Sequence, residues 1–112
     1  MTILIVDDNR NMRAFIREII QSPDNTVIEA SNGLMAVEMY LIHQPDIVFM
    51  DIQMDQMDGI EATGLIRRYS KTVKIVMVTD FKEEILREKA RAAGANHYLH
   101  KSNLLEIKNF FS

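Results

Sequence analysis

Four strand-like runs in this sequence end in residues that could handle a phosphoryl group. Ile3 to Val6 leads into Asp7 and Asp8, Ile47 to Met50 into Asp51, Val73 to Val78 into Thr79, and Asn96 to His100 into Lys101. In an open parallel α/β sheet, ligands gather outside the carboxyl ends of the strands, so all four ends would face one site. If the first and third strands are neighbours, three carboxylates converge. Like charges at such range raise one another's energy, and a hard, oxygen-seeking cation such as Mg²⁺ is the usual remedy. The set suits phosphoryl transfer to a carboxylate, where catalysis is mostly positioning and neutralisation of charge. Asp51 would be the nucleophile. Asp8, Asp51 and a main-chain carbonyl would hold the ion, and Lys101 and the Thr79 hydroxyl would contact the remaining phosphoryl oxygens. Taken singly, each residue has an ordinary explanation, since Asp and Thr commonly end strands and Lys is commonly solvated. Their occurrence at four strand ends is what carries the reading.

Hydrophobic patterning outlines the strands and helices around these residues. Ile47, Val48, Phe49 and Met50 are continuously apolar, as expected of a strand buried on both faces. Met12, Phe15, Ile16, Ile19 and Ile20 form the apolar stripe of a first helix, broken by Ser22-Pro23-Asp24-Asn25. Thr26 to Ala30 reads as a short strand, and Asn32-Gly33 turns the chain into a second helix with Ala36, Val37, Tyr40 and Leu41 on one face. A third helix runs from Ile60 to Tyr69, its interior Gly64 placed for close packing at a propensity cost of about 1 kcal/mol. Lys82 to Ala93 reads as a fourth helix with Gly94 as a left-handed cap. Asn103 and Glu106 suggest a capping box for a final helix presenting Leu104, Ile107 and Phe111. Five alternations of strand and helix argue for a parallel sheet with helices on its faces.

Composition narrows the function classes. The 112 residues suit one domain, with 47% hydrophobic and 26% charged residues, as in ordinary globular proteins. A net charge of -3 gives no footprint for nucleic acid. The absence of Cys excludes disulfides and thiolate metal sites. No apolar run is long enough to span a membrane, and Met1 leads directly into the first strand, so a cytoplasmic protein is expected. The eight Met residues read as core and loop fillers. His43, His97 and His100 have no partner spacing and receive no role. The segment after Asp51 lacks the Gly and Glu positions of a calcium-binding EF-hand loop.

Together these residues resemble the receiver domains of response regulators in two-component signalling. The likeness covers essentially the whole chain, from Asp7-Asp8 through Asp51, Met54, Met57, Asp58 and Gly59 to Thr79 and Lys101. It implies one receiver domain over residues 1–112 with a flavodoxin-like (βα)5 fold, its five parallel strands in the order 2-1-3-4-5. By the same likeness Asp51 is the phosphoacceptor, and Asp8 and Asp51 are side-chain Mg²⁺ ligands with the Gln53 carbonyl as a third. Asp7 is an acid acting through water, Lys101 the basic partner, and Thr79 with Tyr98 the switch pair. The resemblance implies phosphorylation by a sensor histidine kinase or phosphotransfer protein, with no turnover of a free product. It also implies a change in the surface of the last helices and strand, and a phosphorylation-dependent dimer. Output would pass through a domain beyond residue 112 or a separate effector, without direct binding of nucleic acid or membrane by this domain.

Three positions depart from the family pattern. Asp55 stands where Pro is usual, Asp80 where a small residue follows the switch Thr, and Ser102 where a Pro with a cis bond follows the Lys. A cis bond without Pro costs about 2.5–4 kcal/mol, so Lys101-Ser102 is expected to be trans. Asp80 is expected to cap the fourth helix, with Glu83 reaching back. Two rival functions remain open at this stage. An aspartate-nucleophile phosphohydrolase would carry a second Asp two residues after the nucleophile, where this chain has Gln53. A receiver-like adaptor that is never phosphorylated would lack part of the acid and Lys set, which is complete here.

Overall fold

The computed structural model describes residues 1–111. Its elements alternate as expected. They are β1 (Thr2–Val6), α1 (Arg10–Ile20), β2 (Thr26–Ala30), α2 (Gly33–His43), β3 (Ile47–Met50), α3 (Gly59–Tyr69), β4 (Lys74–Thr79), α4 (Glu84–Ala93), β5 (His97–His100) and a last 3-10 helix (Lys101–Phe110). The five strands form one parallel sheet in the order β2-β1-β3-β4-β5. This is the doubly wound order expected from sequence. Because β1 and β3 are adjacent, with Val6 opposite Met50, the acids that follow them emerge side by side.

Period-two alternation along the strands divides the core between the two faces of the sheet. Leu4, Val6, Val48, Met50, Ile75 and Met77 face α2, α3 and α4, where Ala36, Tyr40, Ala62, Ile66 and Ala90 meet them. Ile3, Ile5, Ile47, Phe49, Val76 and Val78 face α1 and the last helix, meeting Ile16, Ile20 and Ile107. Each fully buried Ile or Leu contributes about 1.5–3 kcal/mol relative to exposure. Every residue of β3 is buried, which accounts for its continuously apolar sequence. No helix among the described residues is long and apolar enough to cross a membrane.

Several local expectations are corrected. Phe15 and Leu41, assigned to apolar stripes, lie on the outer surfaces of α1 and α2. Gly64 does not mediate close packing, since a Cβ built there meets nothing within 4 Å. Helix α4 begins at Glu84 rather than Lys82; its N-cap is Glu83, and no side chain caps it. Asp80 is therefore not the cap, because three residues of non-helical chain separate it from the helix. The last helix is capped by His100, whose ring accepts the Ser102 amide, rather than by an Asn103 and Glu106 box. Asn103 has non-helical angles (φ -116, ψ 36) and kinks that helix. Ile107 is nevertheless buried, and Leu104 and Phe111 pack against the same core. Gly94 is left-handed as expected, and all described peptide bonds, including Lys101-Ser102, are trans.

Candidate functional site

The carboxyl ends of β1, β3, β4 and β5 open onto one cleft of about 400 Å³, lined by Asp8, Asn9, Asp51, Gln53, Met54, Asp55, Thr79, Asp80, Phe81 and Lys101. A larger hollow of about 540 Å³ lies between α4, β5 and the last helix. It contains none of these acids.

The β1–α1 turn fixes the first pair of acids. Asp7 is 1% exposed, and its Oδ1 accepts the Asn9 amide at 2.8 Å. Asn9 in turn caps α1, its Oδ1 accepting the amides of Asn11 (2.9 Å) and Met12 (3.1 Å). A helix N-cap of this kind is worth about 1 kcal/mol. The turn is also held from the side, since the Arg13 Nη1 donates to the Asp7 carbonyl at 2.7 Å while its Nε donates to Glu29 at 2.8 Å. Arg17 donates to the other Glu29 oxygen. Asp8, next along, remains exposed at the rim.

Asp51 extends the sheet by one more bond, its amide donating to the Val6 carbonyl at 2.9 Å. Its Oδ1 accepts the Ile52 amide at 2.8 Å, and its Oδ2 accepts Lys101 Nζ at 3.0 Å. Lys101 Nζ also lies 2.9 Å from Asp7 Oδ2, so a single ammonium bridges two buried carboxylates. Oxygens of Asp7, Asp8 and Asp51 all lie within 4.8 Å of one another. Burial, followed by the charge of Asp7, pushes the Asp51 carboxyl above the usual carboxylate range, against the opposing pull of Lys101. Burial alone would lower the Lys101 ammonium, but its hydrogen bonds to Asp7 and Asp51 outweigh burial and raise it.

Thr79 is fully buried at the end of β4, and its Oγ1 accepts the Phe81 amide at 3.3 Å. Tyr98 is half-buried on β5, with its hydroxyl donating to the Phe81 carbonyl at 3.0 Å and Arg87 lying 5.2 Å over its ring. Phe81 thus connects the two expected switch residues. Gln53, Asp55 and Asp80 line the cleft, all three exposed. The site residues named from sequence therefore converge, apart from Tyr98, which stands behind the cleft and reaches it through Phe81.

Sequence reasoning missed the supports. The Arg13, Arg17 and Glu29 cluster joins α1 to β2 and leaves no local signal. His100, given no role, contacts both the Asp80 carbonyl and Ser102. Gly59 lies directly against the Asp51 main chain.

The donor set fits Mg²⁺. It consists of hard oxygens, with three carboxylates inside 4.8 Å, one at an open rim, and only one ammonium against them. Carboxylate oxygens of Asp7, Asp8 and Asp51 are the groups that could hold such an ion.

The family model described as "Response regulator receiver domain" matches residues 3–109. This chain belongs to the response regulator receiver family. The receiver domain is 43% identical to the chemotaxis protein CheY of Halobacterium salinarum over 99 residues, covering 88% of this chain and 82% of that one. It is similar in structure to the response regulator domain of Thermotoga maritima CheB, with a TM-score of 0.83 and 34% identity over 92% of this chain and 79% of that one. The CheX–CheY–BeF3–Mg complex from Borrelia burgdorferi is also similar, with a TM-score of 0.88 and 28% identity, covering the whole of this chain and 90% of that one. The receiver is thus a CheY-like module of two-component signalling.

Proposed function

We propose that this receiver accepts a phosphoryl group on Asp51 and relays the event to a partner surface. The observation that carries the reading is the Lys101 ammonium bridging Asp7 and Asp51 at the open ends of β1 and β3. An Asp51 oxygen attacks phosphorus, and the bond from phosphorus to the donor breaks, with its electron pair leaving on the donor atom. For a phosphohistidine of a sensor kinase or phosphotransfer protein, that atom is an imidazole nitrogen. Bound Mg²⁺ would supply positive charge against the phosphoryl oxygens and the carboxylates.

The chain's own residues supply the rest. The Ile52 amide orients the Asp51 carboxylate, and Lys101 exchanges its carboxylate contact for a phosphoryl oxygen. Asp7, buried and bonded to Lys101, keeps the ammonium at the site during that exchange. Thr79, the only hydroxyl in the cleft lining, exchanges its contact with the Phe81 amide for another phosphoryl oxygen. Because Phe81 also receives the Tyr98 hydroxyl, that exchange would alter the face built by α4, β5 and the last helix, where an effector or a second phosphorylated copy would bind. CheY bound to CheX with BeF3 and Mg in the Borrelia relative supports such a state in the family.

A phosphohydrolase is disfavoured because Gln53, which neither donates nor accepts protons, occupies the acid/base position. Incubation with Mg²⁺ and acetyl phosphate, followed by intact mass, tests the proposal. One added phosphoryl group that is absent from Asp51→Asn is expected. Catalytic release of phosphate with no labelled protein would favour the hydrolase, and an unlabelled, inert protein would favour the adaptor.

A further inference from the structure

Two segments flank the Lys101 side of the cleft, and His100 is where they meet. One is the segment from Asp80 to Glu83 between β4 and α4, and the other is the turn from β5 into the last helix. His100 is paired with Thr79 across the sheet. Its Nε2 lies 3.0 Å from the Asp80 carbonyl, while its Nδ1 lies 3.1 Å from the Ser102 amide and 2.7 Å from the Ser102 hydroxyl. An amide can only donate and a carbonyl can only accept, so one arrangement satisfies both neighbours. In that arrangement Nε2 carries a proton toward the Asp80 carbonyl and Nδ1 offers its lone pair to the Ser102 amide. The Ser102 amide is one of the unpaired donors of a helix's first turn, and a Pro at that position would have none to offer.

We propose that His100 is a positioning residue for phosphoryl transfer, its two hydrogen bonds fixing Thr79 and Lys101 relative to each other. The inference rests on the reading of Asp51, Thr79 and Lys101 given above. Asp80 immediately follows Thr79, and Lys101 lies between His100 and Ser102, so the imidazole joins main-chain atoms adjacent to both groups. Lys101 has a long stem with much rotamer freedom, and its reach to Asp51 is only as well defined as the main chain beneath it. Of the three departures from the family pattern, Asp80 and Ser102 are the two ends of this bridge. His100 transfers no proton and touches no reacting atom.

The test compares His100→Leu, which fills the space and removes both bonds, with two variants that each keep one. In His100→Asn the side-chain oxygen overlays Nδ1 and keeps the Ser102 bond. In His100→Gln the side-chain amide overlays Nε2 and keeps the Asp80 bond. Labelling rates with acetyl phosphate and Mg²⁺ should fall about tenfold in the Leu variant, the scale of losing one to two net hydrogen bonds, with Asn and Gln lying between it and the unmodified protein. A role limited to packing would leave Leu at the unmodified rate, and that result overturns the proposal. In the unmodified protein, nitrogen-15 NMR of the neutral ring should show the proton on Nε2. A proton on Nδ1 overturns the bridge even if the Leu variant fails to fold. An unmodified protein that takes no label on Asp51 overturns the reading of the site, and the role of His100 with it. A labelled protein whose Leu variant is equally fast overturns this inference alone.

Discussion

Gly59 lies so close to the main chain of Asp51 that a Cβ on it would stand 1.8 Å from the Asp51 carbonyl oxygen. The Met50 side chain nearby can shift, but the two nearest atoms are Asp51 backbone, held in the sheet by the Asp51 amide. Gly59→Ala should therefore push the β3 end outward, lower stability by about 1–3 kcal/mol and slow phosphoryl labelling. Gly64→Ala, in open space on the same helix, should instead stabilise by up to about 1 kcal/mol and leave labelling unchanged. Denaturant unfolding and labelling kinetics of the pair check both. Equal behaviour of the two variants would contradict the packing account.

Neutralising Asp51 should stabilise the receiver when no metal is present. Three carboxylates face one ammonium, and Asp51 is buried, so its ionised form opposes folding. A carboxyl raised in the folded state binds its proton more tightly there, so the stability it confers is present below the ordinary carboxylate range and is lost as pH rises through the raised value. At neutral pH, Asp51→Asn should unfold at a higher temperature than the unmodified protein in chelator-treated buffer, and Mg²⁺ should narrow the gap. A lower unfolding temperature for the variant would be the contrary result.

Glu29 should show the opposite pH behaviour. Burial would raise its carboxyl, but the hydrogen bonds and charges of Arg17 and Arg13 outweigh burial and hold it below the usual range. A depressed carboxyl stabilises above its ordinary value of about 4.3, and that contribution is lost as pH falls through the folded-state value. Glu29 is 30% exposed, so Glu29→Gln should cost only about 1 kcal/mol near neutral pH. The difference from the unmodified protein should vanish in acid. A difference that persists at low pH would mean that the loss is steric.

Asp80 is exposed on the cleft lining and does not cap α4. Asp80→Ala should therefore change stability by less than about 0.5 kcal/mol. Asp80→Asn and Asp80→Ala should both speed labelling by the anionic donor acetyl phosphate, and added salt should shrink the gain through screening. A stability loss confined to Ala would restore the capping role.

The fold was legible because its signals are local. Apolar runs of strand length, one helical stripe and Gly94 fix the order of elements, and the parallel alternation fixes the side of the sheet where Asp7, Asp8, Asp51, Thr79 and Lys101 must emerge. The helix starts were less legible. Asp80 followed by Glu83 has the spacing of a cap, yet the chain runs on for three residues before α4, and no side chain caps it. Asn103 and Glu106 misled in the same way, because His100 had already taken the free amide of the first turn. The bridging roles of His100, Arg13 and Glu29 depend on contacts between segments distant in sequence. Periodicity carries no record of such contacts.

Asp51 is the proposed acceptor of the phosphoryl group. The direct measurement is peptide mapping by tandem mass spectrometry after brief exposure to acetyl phosphate and Mg²⁺, with the acyl phosphate trapped as a hydroxamate or reduced with borohydride. Modification at Asp51 alone is expected, lost in Asp51→Asn and on chelation, and slowed in Lys101→Met. Modification at Asp7, Asp8 or Asp55 in the unmodified protein, or undiminished labelling of Asp51→Asn, would contradict it.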